Sequence, residues 1–403
     1  MSQGTFIQLN AKGPQEELFY GDSACTVNPF KDTIAKTHTP FALEEKEIVF
    51  PDPFRMGIEN RLVIPRDGDM LGNLILEFHL PVIPGAAPED RWVDAIGYVL
   101  FRRIRFVIDD VELSNTERLW YDIADRLFLR EPHKHGIDAM IGRGATLPLT
   151  QAHIIYVPLK LFCCKHHHAG QQFLPLLTAP GSVITLYIEA ESFANCVTSY
   201  AGTLPPTTLD CRVIAEYVFL EGPEKERLIN RPHLMLIETE QDAEEVTYRE
   251  VMSDSGDTRI PLDTVKVDLS EINYPVKFLA WVCYPSNALS QRQYFTYTDD
   301  ISGSTLFLDG VERFVPMHDG YFQYVQKYNH TLRAPAQDNV HVYSFALDAS
   351  SWQPNGHCTF GEVGLPQLQV DLTTKRADRV VKVFILGYKF VVVERGRVTV
   401  KYT

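Results

Sequence analysis

The chain has 403 residues, of which 45% are hydrophobic and 22% are charged, and its formal net charge is −14. This length exceeds the roughly 250 to 300 residues at which a single core stops growing, so we expect two folded domains rather than one, and the composition excludes a disordered chain. The acidic balance, without any basic run, excludes direct nucleic-acid binding as the main function because phosphate backbones would be repelled.

The start of the chain and its cysteines predict a soluble, intracellular protein. The first residues, MSQGTFIQLNAKG, lack the basic and apolar regions of a secretory signal peptide. Seven cysteines are scattered without framework spacing, which is typical of a reducing compartment. The most apolar late segment, VVKVFILGYKFVVV, contains two lysines and is too short to span a bilayer.

Apolar and polar residues alternate with a period of two along most of the chain, which predicts antiparallel strands with one buried and one solvated face. The clearest stretches are RRIRFVIDDVEL (102–113), VITLYIEAE (183–191) and TVKVDLS (264–270). Their predicted buried residues are Ile104, Phe106, Ile108, Ile184, Leu186, Ile188, Val265, Val267 and Leu269. Near the end, VVVERGRVTVKYT predicts a hairpin with Gly396 at the turn.

Two segments predict helices between the strands. The segment SNTERLWYDIADRLFLREPH has Ser114 and Glu117 at capping-box spacing, and Pro132 predicts its end. One helical face would hold Leu119, Trp120, Ile123, Ala124 and Leu127. A short helical turn at PEKERLIN (223–230) separates two strand-rich halves. The sequence therefore predicts an all-β fold of two consecutive eight-stranded antiparallel jelly-roll sandwiches, with a few short helices in the connections.

Several segments, spread in order from about residue 4 to residue 360, resemble a known family. They are GTFIQLNAKGPQEELFYGD, NPFKDTIAKTHTPFALE, IPRDGDMLGNLILEFHLP, WVDAIGYVLFRRIRFVIDDVEL, EYVFLEGPEKERLINRPHLMLIETEQ, YPVKFLAWVCY and VYSFALDASSWQPNGHCTF. Together they are similar to the double jelly-roll major capsid proteins of nucleocytoplasmic large DNA viruses and their smaller relatives. The expected division is an N-terminal base segment at 1–30, a first jelly roll at 31–222 and a second at 223–403.

The resemblance implies a structural role in a virion, assembled in the host cytoplasm or a viral factory. A homotrimer would form a pseudo-hexameric capsomer and contact neighbouring capsomers, and minor capsid, cement and penton proteins. Internal viral membrane proteins would lie at the capsomer base, and no direct nucleic-acid contact is implied. We expect residues 4–30 to be ordered chiefly by neighbouring subunits. A minor capsid or transient scaffold protein of the same fold, or a jelly-roll carbohydrate-binding or cupin-like protein, remains an alternative.

The segment KLFCCKHHHAGQQFLP (160–175) is the strongest candidate for a metal site. In an extended strand Cys163 and Cys164 would point to opposite faces, and zinc usually draws paired ligands from two separated places. A cupin would need a carboxylate shortly after the His166 and His168 pair, where the sequence has glutamines. We therefore expect a solvated loop here, and no metal ligands, cofactor-binding residues or catalytic residues. The acidic run ETEQDAEEVTYRE from Glu238 is expected to be a solvated face.

Overall fold

The computed structural model describes residues 40–164, 172–200, 202, 206–229, 233–242, 246–247, 250–252, 259–261, 264–335, 338–373, 379–394 and 397–401. The predicted base segment 1–30, the three histidines at 166–168 and the hairpin turn at 395–396 lie outside these residues.

The strands of the first half form a jelly roll of two antiparallel sheets. They are β1 (Phe41–Val49), β2 (Phe54–Arg55), β3 (Glu59–Ile64), β4 (Met70–Leu80), β5 (Phe101–Ile108), β6 (Val111–Glu117), β7 (His153–Pro158), β8 (Leu174–Pro175), β9 (Ile184–Ala190) and β10 (Thr208–Leu220). One sheet has the order β1-β10-β4-β7 and the other β3-β9-β5-β6, with β2 and β8 pairing at the ends of β10 and β4.

The strands of the second half repeat this arrangement. They are β11 (His233–Asp242), β12 (Val246–Thr247), β13 (Glu250–Met252), β14 (Arg259–Pro261), β15 (Thr264–Asp268), β16 (Pro275–Pro285), β17 (Ile301–Leu308), β18 (Val311–Glu312), β19 (Met317–His318), β20 (Val340–Ser344), β21 (Cys358–Thr359), β22 (Gln367–Leu372), β23 (Arg379–Glu394) and β24 (Arg397–Lys401). The two main sheets run β11-β23-β16-β20 and β15-β22-β17-β18. The prediction of two consecutive eight-stranded jelly rolls is therefore confirmed.

Short helices connect the strands. They are α1 (Ile96–Val99), α2 (Arg118–Phe128), α3 (Glu131–Ile141), α4 (Phe193–Cys196), α5 (Gly222–Ile229) and α6 (Gln326–His330), with a π-helical turn at Tyr321–Val325 and a 3-10 turn at Phe360–Glu362. None of the helices in the described ranges has the length and apolar character needed to cross a membrane. Helix α5 lies between β10 and β11, where the sequence predicts the connection between the two halves.

The period-two pattern correctly identifies the inward faces of the strands. Nine residues of β5, β9 and the β15 segment were predicted to be buried, and all nine are buried. Because alternate side chains point to opposite faces, Arg103 and Arg105 of β5 lie on the solvent side. Strands β23 and β24 pair antiparallel, with Glu394 opposite Arg397, as the predicted hairpin requires.

Two details of the helix prediction are wrong. Residues 114–117 belong to β6, and Glu117 precedes α2 without a side-chain cap, so the capping-box prediction fails. Pro132 lies in the first turn of α3 rather than at the end of α2, a position where the missing N–H of proline costs nothing. Helix α3 ends at Gly142, whose positive φ of 76° suits a residue without a Cβ.

The acidic run from Glu238 was predicted to be a solvated face, and this prediction is wrong for the first residues of the run. Glu238 and Glu240 lie in β11, and Glu240 is buried. Glu238 forms an ion pair with the fully buried Lys277 of β16. Burial raises the pKa of the Glu238 carboxyl, and the nearby Lys277 ammonium opposes this shift. The first acidic residues of the run therefore lie inside the protein, and the Glu238 carboxylate is stabilised by an ion pair rather than by water.

Candidate functional site: the junction between the two jelly rolls

Helix α2 leaves the first jelly roll and packs on the outer face of a sheet of the second. The buried cluster contains residues of both jelly rolls, namely Leu119, Trp120, Ile123, Ala124, Leu127 and Phe128 from α2, and Phe278, Ala280, Val282, Val340, Val342, Phe384 and Leu386 from β16, β20 and β23. All five residues predicted for the apolar face of this helix are included. Fully burying one large apolar side chain contributes roughly 1.5–3 kcal/mol, so this contact holds the jelly rolls together strongly.

Strand β16 serves two cores at once. Its residues Phe278 and Ala280 face α2, whereas Leu279 and Trp281 face the interior of the second jelly roll. Both faces of a central strand are therefore apolar, which explains why the segment PVKFLAWVCYP is a nearly continuous hydrophobic run rather than an alternating one. Aromatic rings complete the contact, with Phe128 and Phe278 edge to face at a centroid distance of 5.6 Å.

The polar side of α2 is also buried and centres on Asp122. This carboxylate, which is fully buried, binds the Arg126 guanidinium at 2.8 Å and the Arg143 guanidinium at 2.6 Å. The Tyr297 hydroxyl of the second jelly roll donates to its Oδ2 atom at 2.9 Å. Burial alone would lower the pKa of Arg143, but the charges of Asp122 and Asp125, together with Tyr98, outweigh it and raise that pKa. The charges are therefore compensated inside the junction.

Asp125, one turn further along α2, ties the helix back to the first jelly roll. It accepts a hydrogen bond from the Tyr98 hydroxyl at 2.6 Å and forms an ion pair with Lys160. Burial, and then the Asp125 charge, raise the pKa of Tyr98 well above its ordinary value, so the phenol stays protonated and donates. The two aspartates of α2 thus give the helix one polar anchor across the junction and one within its own jelly roll.

Further polar contacts cross the junction around the helix. The Arg126 guanidinium donates to the Phe295 carbonyl oxygen at 2.9 Å, and the Arg333 guanidinium binds the Glu131 carboxylate at 2.7 Å. Lys382 of β23 forms an ion pair with Glu117 at the start of α2. Because each bond joins residues more than 160 positions apart in sequence, the relative orientation of the two jelly rolls is fixed by many independent contacts.

A second buried carboxylate, Glu191, lies at the edge of the same junction. It accepts hydrogen bonds from Arg102 at 2.9 Å, from Arg118 at 2.8 Å and from Asn195 at 3.0 Å. Burial alone would raise its pKa, but the bonds from Arg102 and Asn195 and from the Ser192 amide, with the Arg118 charge, lower it to about 2. The Arg118 guanidinium also stacks 4.8 Å from the ring centroid of Tyr294, a second-roll residue.

A cavity of about 450 Å³ opens beside this network and is lined by both jelly rolls. Its charged lining residues include Asp125, Arg126, Arg143 and Arg333, each of which is already engaged in the contacts described above. Within the described ranges no three histidine, cysteine or acidic side chains stand together as metal ligands. The arrangement has the chemistry of a structural joint: charges in compensated pairs, surrounded by packed aromatic rings.

The two cysteines of the candidate metal segment are placed differently from the sequence expectation. Cys163 and Cys164 lie in a turn after β7, closed by the Cys164 amide donating to the Leu161 carbonyl at 2.9 Å. Both side chains are buried in the core of the first jelly roll, so the premise of an extended strand with opposite faces is wrong. The prediction that this segment holds no metal remains a prediction, since its histidines lie outside the described residues.

The comparisons with known proteins agree with this architecture. Residues 29–221 match the family description "Major capsid protein N-terminus", and residues 224–393 match "Large eukaryotic DNA virus major capsid protein". The chain belongs to the major capsid protein family of large DNA viruses. This is a structural family rather than an enzymatic one, and its members assemble with other capsid subunits into the virion capsid.

Individual relatives resemble this family member over nearly its full length. The major capsid protein of Pyramimonas orientalis virus is 24% identical, with 98% of each chain aligned. Among solved structures, a chain of the quasi-atomic PBCV-1 virus capsid has a TM-score of 0.76 at 20% identity, covering 93% of this chain and 100% of that one. The Faustovirus major capsid protein has a TM-score of 0.65 at 10% identity, with 93% of each chain covered.

The functional importance of the junction was missed in the sequence. The sequence predicts the apolar face of α2 but not the roles of Asp122, Asp125 and Glu191, because most of their partners are distant in sequence. One local signal was present: Asp122 and Asp125 are surrounded by aromatic residues in LWYDIADRLF, and carboxylates in such a context are often paired and buried.

Proposed function

We propose that this protein forms a homotrimer whose six jelly rolls make a pseudo-hexagonal capsomer, and that such capsomers tile an icosahedral shell. The observation that supports this most is the repeated sheet order, β1-β10-β4-β7 with β3-β9-β5-β6, and β11-β23-β16-β20 with β15-β22-β17-β18. One chain therefore supplies two similar blocks held rigidly by α2. Three such chains closed by cyclic symmetry supply six similar sides.

We expect the trimer to be permanent because the interfaces between its three chains should be large. Obligate interfaces bury roughly 2,000–5,000 Å² and are more apolar than transient ones. Contacts between neighbouring capsomers are expected to be smaller and more polar, so that misplaced capsomers can leave a growing shell. The net charge of −14 favours this, since like-charged blocks associate only where shape and local contacts match.

We assign residues 1–30 to the base segment, 31–222 to the first jelly roll and 223–403 to the second. The base segment would contact minor capsid proteins and internal viral membrane proteins, while cement and penton proteins would contact the sides, during assembly in the host cytoplasm or viral factory. Deleting residues 4–30 should leave soluble trimers but prevent shell formation. Loss of the trimer itself would contradict this assignment.

Negative-stain electron microscopy of the purified full-length protein tests the proposal. We expect particles with three-fold symmetry and a hexagonal outline. Monomeric or two-fold symmetric particles would contradict it. A major coat role further predicts that this chain is the most abundant protein of purified virions, whereas a scaffold of the same fold would be absent from them.

A further inference from the structure

The repeated topology gives each connection of the first jelly roll a counterpart in the second. The connection from β6 to β7 contains α2, and the connection from β18 to β20 contains the π-helical turn at Tyr321–Val325 and α6. Each connection leaves the end strand of one sheet and returns to the end strand of the other. The helical segment 321–330 therefore occupies the position in the second jelly roll that α2 occupies in the first.

The two helical segments differ in what covers their apolar side chains. Those of α2 are buried on the sheet of the second jelly roll. The segment 321–330 and its surroundings instead expose the Tyr328 patch, which consists of Tyr324, Val325, Tyr328, Leu332 and Leu347. Tyr328 is 82% exposed and Leu347 is 76% exposed. The His330 Nδ1 atom lies 3.0 Å from the Leu347 carbonyl oxygen, so Leu347 lies beside the end of the helical segment.

The sheet face that would receive this patch exists on the first jelly roll. The counterparts of β16, β20 and β23 are β4, β7 and β10, and their outer face carries the Ile154 face, made of Ile75, Ile154, Tyr156, Pro158 and Ile214. Ile75 pairs with both Pro158 and Ile214, so these side chains are neighbours. Four of the five are half-buried, and Ile154 is 52% exposed.

Other parts of the described chain do not cover the Ile154 face. Helices α1 and α3 approach β7 from its inward side, because a Cβ atom placed on Gly97 would lie 3.0 Å from both Ile141 and the inward-facing Ile155. The Ile154 face also carries charged neighbours, among them Arg212, which pairs with Glu47, and His79, which pairs with Glu77. A half-apolar, half-charged face of this kind suits a partner that docks after folding, because the unbound chain must remain soluble.

We propose that the Tyr328 patch of one copy docks on the Ile154 face of the next copy, repeating between chains the contact that α2 makes within one chain. This inference rests on the proposed trimer and names the surfaces that close it. Each copy has one uncovered helical segment and one uncovered sheet face in equivalent positions, and a head-to-tail contact uses both. Such a heterologous contact closes into a ring when the rotation between successive copies permits. In a ring of six jelly rolls, three contacts would then be the internal α2 junctions and the other three would join neighbouring copies.

Crosslinking between introduced cysteines tests the proposal. The test variant combines Tyr328→Cys with Ile154→Cys, and the control variant combines Tyr328→Cys with Val63→Cys, an exposed residue of β3 on the other sheet. A short bifunctional thiol reagent should link the test variant into covalent trimers on a denaturing gel. The control variant and each single-cysteine variant should run as monomers on the same gel. The single-cysteine variants show whether the natural cysteines contribute to crosslinking.

Sedimentation of the unmodified protein separates the two claims. If the protein is trimeric and the test pair links no better than the control pair, the docking inference is wrong and the trimer stands. If the protein is not trimeric, the proposed function itself fails.

A charge substitution gives an independent readout of the same contact. Tyr328→Glu should raise the concentration at which half of the trimer dissociates by at least tenfold. Val311→Glu, at another exposed position on β18, should leave that concentration unchanged. Because Tyr328 is exposed within one chain, the circular dichroism spectrum of the Tyr328→Glu monomer should be native. An unchanged trimer in Tyr328→Glu would overturn the inference.

Discussion

The Tyr297 hydroxyl of the second jelly roll donates a hydrogen bond to the Asp122 carboxylate of the first at 2.9 Å, in an environment where Asp122 is fully buried. The same carboxylate is bound by Arg126 and Arg143. Removing one partner of a buried ionic cluster leaves uncompensated charge, and such losses cost about 3–5 kcal/mol. The joint between the jelly rolls should therefore depend on Asp122 more than on any exposed carboxylate.

We predict that Asp122→Ala lowers the free energy of unfolding by about 3–5 kcal/mol, because two guanidinium groups and a phenol lose their common acceptor. Denaturant unfolding followed by circular dichroism measures this. Glu226→Ala is the matched control, since Glu226 is an exposed carboxylate of α5 and its loss should change stability by less than about 0.5 kcal/mol. Equal effects of the two substitutions would contradict the account.

Leu127→Ala tests the apolar half of the joint. The Leu127 side chain is fully buried between the jelly rolls, so its truncation leaves a cavity and should cost about 2–5 kcal/mol. Because both jelly rolls contribute to the cavity, differential scanning calorimetry should show one transition in the natural protein and two in the variant. Leu289→Ala, at an exposed position, should leave a single transition. A single transition at an unchanged temperature in Leu127→Ala would contradict the contribution of Leu127 to the joint.

Glu191 should make the protein sensitive to acid. Its folded-state pKa of about 2 lies below the ordinary value of 4.5, so its contribution of about 3 kcal/mol is complete above pH 4.5 and is lost as the pH falls toward 2. Glu191→Gln removes this titration. The free energy of unfolding of the variant should therefore fall less steeply than that of the natural protein between pH 5 and pH 3. Parallel pH profiles would contradict the assigned pKa.

His341 should add sensitivity at milder acidity. Burial, together with the nearby Lys327 charge, lowers the pKa of this histidine from 6.5 to about 3. The unfolded chain then binds the proton that the folded chain excludes, so stability is complete above about pH 6.5 and falls by about 2 kcal/mol on going from pH 7 to pH 5.

His341→Phe preserves an aromatic ring next to Trp281, with which the imidazole stacks at a centroid distance of 6.0 Å, and removes the titrating group. Its stability should change less than that of the natural protein between pH 7 and pH 5. Leu289→Phe is the control, because it introduces the same ring at an exposed position that carries no titratable group and should leave the slope unchanged. An unaltered slope in His341→Phe would contradict the account.

Local rules predicted the strands because each strand buries one face against its own jelly roll. Ile104, Leu186 and Val267 follow this pattern, because residues two positions apart on a strand point to the same face and are buried together. The rules failed where a charged residue is buried through a partner on another strand. Glu238 has the composition of a solvated strand, but its partner Lys277 lies on a different strand 39 positions away.

The helical errors have a similar origin. The Ser114–Glu117 spacing suits a cap, but these residues pair with β5, and the pairing of a strand outweighs one side-chain hydrogen bond. Pro132 is compatible with the start of a helix as well as with the end of one, and the sequence alone did not distinguish these. The polar anchors of α2 depend on Tyr297 and Arg143, whose approach follows from the completed fold.

The central claim is that three copies of this chain close a ring of six jelly rolls, and the mass of the purified full-length protein in solution tests it most directly. Sedimentation equilibrium at micromolar concentration and neutral pH should give three times the 45.9 kDa mass of the chain, unchanged on dilution. A mass of one chain, or a mass that falls to one chain on modest dilution, would contradict the account.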